Sequence, residues 1–98
     1  MNNKSLELKK NYRIRYSNVR EILNNEDPIG LQAAGCPKDE YDPEISSILP
    51  KIDSCNTVEE MQEMIHKEFV SLFDDSTAGP VERYKKIAEQ IFKLRVKN

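Results

Sequence analysis

Acidic residues gathered in two short stretches of the first half of the chain are the ones whose types and spacing could do chemistry. The set comprises Glu26, Asp27, Asp39, Glu40, Asp42 and Glu44, with Tyr41 among them. Clustered carboxylates can bind a divalent cation, exchange protons with a substrate, or form an acidic surface that attracts a basic protein. Each of these three roles requires other residue types nearby, so the rest of the sequence helps to distinguish between them.

The sequence gives little support for a metal site or a catalytic site. The carboxylates do not have the spacing of an EF-hand loop, and the sequence contains no Gly-rich phosphate loop, HExxH motif or nucleophile elbow. His66, the single histidine, has no cysteine or second histidine beside it, which is typical of a packing residue. We therefore expect no catalytic residue, no metal and no cofactor, and predict that the protein is not an enzyme.

Length and composition predict one domain over residues 1–98 without a membrane-spanning segment. The chain is 33% charged and 38% hydrophobic, and no run approaches the ~18 apolar residues of a transmembrane helix. The first residues lack the apolar region of a secretory signal, so a cytoplasmic location is expected. Cys36 and Cys55 are far apart in sequence and are expected to be reduced thiols, with a disulfide between them as the alternative.

Hydrophobic periodicity predicts an all-α, four-helix bundle-like domain with a long loop between helices 1 and 2. The expected helices cover about residues 5–24, 43–53, 58–73 and 80–96. In the first helix, the apolar stripe that should face the core consists of Leu8, Tyr12, Tyr16, Val19 and Leu23. The acidic stretches fall in the long loop, and a polar loop is expected over residues 74–79.

Turn and cap residues predict how these helices begin and end. Residues 27–30, Asp-Pro-Ile-Gly, are typical of a β-turn after a helix that stops at Asn24-Asn25. Asp42 before Pro43 predicts an N-cap for the second helix, and Pro50 should end or kink that helix near residue 49. Thr57 opens a capping box for the third helix.

The acidic stretches also resemble a known signature. The residues that carry it are Asp27, Pro28, Ile29, Gly30, Asp39, Tyr41, Asp42 and Glu44. Their order resembles the W-D-P-[IF]-G … D-x-Y-D-x-E signature of a family of small helical proteins of unknown function, known mainly from Bacillus-type bacteria. The resemblance covers about residues 10–95, although Glu26 stands where the family has tryptophan and residues 31–38 are a longer loop. It implies a short helical domain, and related signatures occur in immunity proteins carried beside secreted toxins.

The charge distribution suggests how such a domain could act. Residues 1–20 carry a net charge of +5, residues 21–79 carry −11 and residues 80–98 carry +4. The basic ends could pack beside the acidic middle, or the acidic middle could face a basic partner. The favoured hypothesis is a non-catalytic interaction protein, such as an immunity-type inhibitor of a basic toxin or nuclease. Its partner-binding residues would be the six carboxylates, with Tyr41 as an anchor.

Two alternatives remain open. The first is a structural or regulatory helical module, such as a homodimer, whose surface charges only confer solubility. The second is a weak nucleic-acid binder that uses the basic terminal helices, in particular Lys85, Lys86, Lys93 and Lys97. Nucleic-acid binding is less favoured, because the isoelectric point is near 5.4 and Glu82 and Glu89 interrupt the basic residues.

Overall fold

Helices account for most of the structure, a computed structural model that describes the backbone of residues 3–95 and the side chains of residues 8–95. The α-helices are α1 (Asn3–Glu26), α2 (Asp42–Ile48), α3 (Val58–Leu72), α4 (Asp75–Ala78) and α5 (Lys85–Phe92). Two 3-10 helices accompany them, the first over Leu49–Ser54 and the second over Val81–Tyr84. Residues 3–95 contain no strand. The all-α class is confirmed, and the expected helix end at residue 96 lies outside the described residues.

The core forms around α3, which packs against α2 on one side and α5 on the other, while α1 packs against both α2 and α5. Phe69 of α3 has no exposed surface and contacts three other rings. Its ring centroid lies 5.0 Å from that of Tyr84, 6.0 Å from that of Phe73 and 6.1 Å from that of Tyr41. This aromatic cluster joins α3 to the start of α5 and to the loop before α2.

The first helix is longer than its end signals predicted. It continues through Asn24-Asn25 to Glu26, and the residue in the left-handed conformation is Asp27, with φ of +47°. Aspartate tolerates this conformation better than most residues, because its short polar side chain can bond locally. The predicted turn is confirmed, since the Gly30 amide donates to the Asp27 carbonyl over 3.0 Å.

The second helix differs from prediction at its start and agrees with it at its end. Asp42 is the first helical residue rather than the cap, the cap position belongs to Tyr41, and no side chain bonds the free amides there. The α-helix stops at Ile48 and continues as the first 3-10 helix, which has Pro50 near its start. The early end near residue 49 is therefore confirmed, since proline has no amide to continue the α-helical bonding.

Later boundaries follow local capping. The Glu60 amide donates to Thr57 Oγ1 over 3.1 Å, which confirms the predicted cap of α3. The predicted polar loop over 74–79 instead contains α4, a single helical turn that Asp74 caps through the Thr77 amide at 2.6 Å. The predicted last helix is also divided, because the second 3-10 helix precedes α5.

The apolar stripe of α1 is buried along only half of its length. Val19 and Leu23 have no exposed surface, whereas Leu8 is 65% and Tyr12 is 53% exposed. Helix α1 has 24 residues, which is about 36 Å, but α2 and α5 have 7 and 8 residues, about 10–12 Å each. These short helices cover the C-terminal half of α1 and leave the apolar face of the other half uncovered by the described residues. No described helix is both long and apolar enough to span a bilayer.

Candidate functional site: the acidic loop and the α1 groove

Asp27 organises the loop that follows α1. Its Oδ1 accepts hydrogen bonds from the Gln32 amide at 2.9 Å and from the Tyr41 hydroxyl at 2.7 Å, and its Oδ2 accepts one from the Ala33 amide at 2.9 Å. Burial opposes ionisation of this carboxyl, but the bonds from Gln32, Tyr41 and Ala33 outweigh it and lower the pKa of Asp27. The carboxylate is thus engaged inside the loop.

Tyr41 lies in the core rather than on the surface. Its side chain has no exposed area, and besides donating to Asp27 its hydroxyl accepts the Ile29 amide over 3.3 Å. Burial, together with the bond to Asp27, raises the pKa of Tyr41. Tyr41 was expected to be an exposed interface anchor, but its ring is fully buried. Its role in partner binding stays a prediction.

Asp42 pairs with Arg20 across the α1–α2 interface. Arg20 Nε donates to Oδ1 over 3.1 Å and its terminal nitrogen donates to Oδ2 over 2.6 Å, a two-bond arrangement. The guanidinium also lies 5.3 Å from the centre of the Tyr16 ring. A cation of the first helix and a carboxylate of the acidic middle segment thus neutralise each other here, as one of the two interpretations of the charge distribution predicted.

Glu44 is the single buried charged residue among the described side chains. It is 2% exposed, and its Oε1 has no hydrogen-bond partner. Burial raises the pKa of Glu44 to about 7, and the nearby charges of Glu40 and Asp42 act in the same direction. Glu44 therefore adds nothing to the surface charge.

The remaining predicted residues lie at the surface. Glu26 is exposed, but its Oε2 accepts a hydrogen bond from Gln90 at 3.1 Å. Asp39 and Glu40 are exposed. Of the seven predicted residues, the structure brings Asp27 and Tyr41 into direct contact. The exposed carboxylates of the set are reduced to Asp39, Glu40 and the partly engaged Glu26.

A second polar cluster joins α2 and the first 3-10 helix to α3. The Ser47 hydroxyl donates to Glu68 Oε1, and Lys51 Nζ lies 2.8 Å from Glu68 Oε2. A serine beside a carboxylate resembles an activated nucleophile. Although burial opposes ionisation, the bonds from Lys51 and Ser47 lower the pKa of Glu68, so this carboxylate is a poor proton acceptor.

Histidine and cysteine are the other residue types in the chain that could serve a catalytic or metal site. His66 Nε2 lies 2.9 Å from the Gly79 carbonyl oxygen, a hydrogen bond that requires the proton on Nε2. Among the described residues, no group of three or more His, Cys, Asp or Glu side chains could hold a metal ion. Cys36 is half-buried, Cys55 is buried, and both are free thiols.

A groove of about 530 Å³ lies between the N-terminal half of α1 and the first 3-10 helix and is here called the α1 groove. Its lining comprises Leu8, Asn11, Tyr12, Ile14, Arg15, Asn18, Ser46, Leu49, Pro50, Asp53 and Leu94. The apolar wall on α1 is largely solvated, with Ile14 51% exposed in addition to Leu8 and Tyr12. Arg15 joins the two sides through a 3.1 Å ion pair with Asp53.

Sequence reasoning missed this groove because it assigned the whole α1 stripe to the core. The feature of the sequence that could have revealed the groove is the difference in length between the apolar stripe of α1 and the helix expected to cover it. The stripe extends over four turns and more, whereas the second helix was expected to be short and to be interrupted at Pro50.

No protein-family model, curated protein sequence or solved structure matches the chain. The resemblance to the W-D-P-[IF]-G family, and with it the link to immunity proteins, stays a prediction.

Proposed function

We propose that the protein is a non-catalytic interaction domain that binds another protein in the α1 groove. The observation that carries this proposal is the apolar stripe of α1, which is buried at Val19 and Leu23 and then continues into solvent at Leu8 and Tyr12. Burial of large apolar side chains stabilises a complex by about 1.5–3 kcal/mol for each one that becomes fully buried. Contiguous exposed apolar surface of this kind is typical of interaction sites.

The position of the groove supports the same role. One wall is a long, regular helix and the opposite side is fixed by the core, since Leu49 is 5% exposed. The Arg15–Asp53 ion pair holds the two sides at a defined separation. A surface held on rigid elements loses little conformational entropy when a partner binds.

An inhibitor that binds a basic toxin through the acidic loop has less support, because the carboxylates of Asp27 and Asp42 are engaged internally and Glu44 is buried. Asp39 and Glu40 could still contribute charge at the edge of an interface. Within the interaction role, the α1 groove rather than the acidic loop would supply most of the binding energy.

The test is selection of binders from a displayed library of helical peptides, followed by mapping on the protein by amide chemical shifts. We expect enriched peptides to perturb the α1 groove and to lose at least about tenfold in affinity against a Leu8→Gln/Tyr12→Gln variant, because a tenfold change corresponds to only about 1.4 kcal/mol. Leu72→Gln is the matched control, since Leu72 is 45% exposed but lies outside the groove lining. Equal binding to the groove variant, or no enrichment at all, would contradict the proposal.

A further inference from the structure

We propose that Glu44 makes the start of α2 a pH-sensitive element. When Glu44 loses its proton, the first turn of α2 leaves the core and one side of the α1 groove moves with it. The effect on binding rests on the proposed function of the groove, whereas the movement itself does not. The protein would then hold the groove in the form described above at mildly acidic pH and release it above neutral pH.

Glu44 is a buried carboxyl group with an unused oxygen. It is 2% exposed, and its Oε1 has no hydrogen-bond partner. None of the ion pairs among the described side chains includes it. Burial of a charge without a partner is far less favourable than burial of the neutral group. The fold therefore accommodates Glu44 in its protonated form.

The cations on the helices around α2 are already paired. Helix α2 packs against α1, the first 3-10 helix and α3. Arg20 of α1 donates both of its bonds to Asp42, and Lys51 of the 3-10 helix pairs with Glu68 of α3. Neither cation is therefore available to stabilise an ionised Glu44.

The other ionisable groups near Glu44 are negative or neutral. Burial opposes its ionisation most, the charges of Glu40 and Asp42 act in the same direction, and its own backbone amide favours the ionised form. Tyr16 bonds the Asp42 carbonyl oxygen over 3.5 Å, and Tyr41 precedes α2 in the core. Burial raises the pKa of both tyrosines, so they stay neutral at neutral pH.

The first turn of α2 is the part of the fold whose movement would expose Glu44 with the least disruption. Pro43, directly before it, is exposed, no described side chain caps the turn, and α2 has only seven residues. Short segments at the surface can open locally while the rest of the core stays folded. Exposure of the carboxylate therefore requires opening of this turn and leaves α3 and α5 packed.

Two backbone hydrogen bonds connect this turn to the groove. The Ile45 amide donates to the Tyr41 carbonyl over 3.0 Å, and the Leu49 amide donates to the Ile45 carbonyl. An opening that extends through Ile45 breaks both bonds. Leu49 and Ser46 line the α1 groove, so the same opening shifts the side of the groove that faces α1.

The test is amide hydrogen exchange followed by NMR at pH 5.5 and pH 8, corrected for the intrinsic pH dependence of exchange. Since the pKa of Glu44 is about 7 in the fold and 4.5 for the unperturbed group, the opening constant of the turn should rise at least about tenfold between these pH values. The amides of Ile45 and Leu49 should show this rise together in the wild type. Glu59→Gln, an exposed position on α3, should keep the rise, and Glu44→Gln should abolish it.

Urea distinguishes local opening from global unfolding. At low urea concentrations, exchange of the Ile45 amide at pH 8 should be nearly independent of urea, because a small opening exposes little surface. The amide of Ile65, a fully buried residue of α3, should instead follow global unfolding. Equal protection and equal urea dependence of the two amides would overturn the proposal.

A ¹³C NMR titration of the Glu44 carboxyl in the wild type needs no variant. Its midpoint should lie near pH 7 and coincide with the change in exchange at Ile45, and a midpoint below about pH 5 would overturn the proposal. A response of Ile45 without Leu49 would refute the link to the groove. These measurements use no ligand, so failure of the selected peptides to bind would contradict the proposed function and leave the pH-dependent opening standing.

Discussion

The Tyr41 hydroxyl donates a hydrogen bond to the Asp27 carboxylate over 2.7 Å, which joins the end of α1 to the start of α2. Asp27 is in the left-handed conformation, with φ of +47°, and its carboxylate also accepts the amides of Gln32 and Ala33. One side chain therefore organises much of the long loop. The acidic signature of the sequence is, in this region, a set of structural bonds.

Removal of the Tyr41 hydroxyl should destabilise the protein. Tyr41→Phe removes one of the two donors to Asp27 Oδ1 and leaves the Ile29 backbone amide without its acceptor, and should lower the free energy of unfolding by about 1–3 kcal/mol in urea denaturation. Tyr12→Phe is the matched control, because Tyr12 is 53% exposed. In a double-mutant cycle with Asp27→Asn, the two changes should be non-additive. Additive effects would show that the bond contributes nothing.

A second set of long-range hydrogen bonds involves Arg83, which lies against Gly79. The terminal nitrogen Nη1 of Arg83 donates to the carbonyls of Pro28, Ala78 and Thr77 at 3.0, 3.1 and 3.3 Å. A Cβ on Gly79 would lie 2.5 Å from the guanidinium carbon of Arg83. The turn after α1 is thus bonded to the second 3-10 helix through Arg83, whose guanidinium occupies the space that a Cβ at residue 79 would take.

Gly79→Ala should therefore destabilise the protein more than replacement of a glycine with the same backbone conformation and free space around it. Strain at φ of +76° alone costs of the order of 1–3 kcal/mol, and displacement of Arg83 adds to it. Gly35→Ala is the comparison, since φ there is +83° but nothing lies within 4 Å of the added carbon. Thermal denaturation should show a larger loss of stability for Gly79→Ala than for Gly35→Ala, and the loss for Gly79→Ala should be smaller in an Arg83→Ala background. If the loss were the same in that background, the contact between residue 79 and Arg83 would contribute nothing to it.

The helices could be predicted from residues close together in the sequence, whereas the candidate site depends on side-chain contacts between residues far apart in it. The cap at Thr57 and the break at Pro50 act within a few residues, so the sequence pattern predicted both. The side-chain partners of Asp27 and Asp42, which are Tyr41 and Arg20, are 14 and 22 residues away, and no periodicity relates them. The exposed half of α1 escaped prediction for a related reason, because a stripe shows which face is apolar and does not show what covers it.

The two halves of the α1 stripe should respond differently to truncation. Val19→Ala removes buried methyl groups and should lower the free energy of unfolding by about 1–2 kcal/mol, whereas Leu8→Ala should change it by less than about 0.5 kcal/mol because Leu8 is 65% exposed. Both values can be measured by urea denaturation of the free protein. A large loss for Leu8→Ala would show that the N-terminal half of α1 is covered in solution.

The free energy of unfolding should decrease both at low pH and at higher pH, for two different reasons. Asp27 and Glu68 have pKa values lowered by their hydrogen bonds, so each binds protons more weakly in the folded state. Their contribution is fully present above their unfolded pKa values and is lost as the pH falls through the folded ones. Below about pH 4, the free energy of unfolding should therefore decrease with acidification.

Glu44 should cause the decrease in the free energy of unfolding at higher pH. Because burial raises its pKa from 4.5 to about 7, the folded state keeps a proton that the unfolded state has released between these values. The free energy of unfolding should decrease as the pH rises through this interval, by about 3 kcal/mol in total. Denaturation at pH 5 and pH 8 should show this decrease in the wild type and not in Glu44→Gln, which cannot ionise. Comparison with Glu59→Gln, an exposed position on α3, separates the effect from a general loss of charge. If Glu44→Gln kept the full decrease, the titrating group would lie elsewhere.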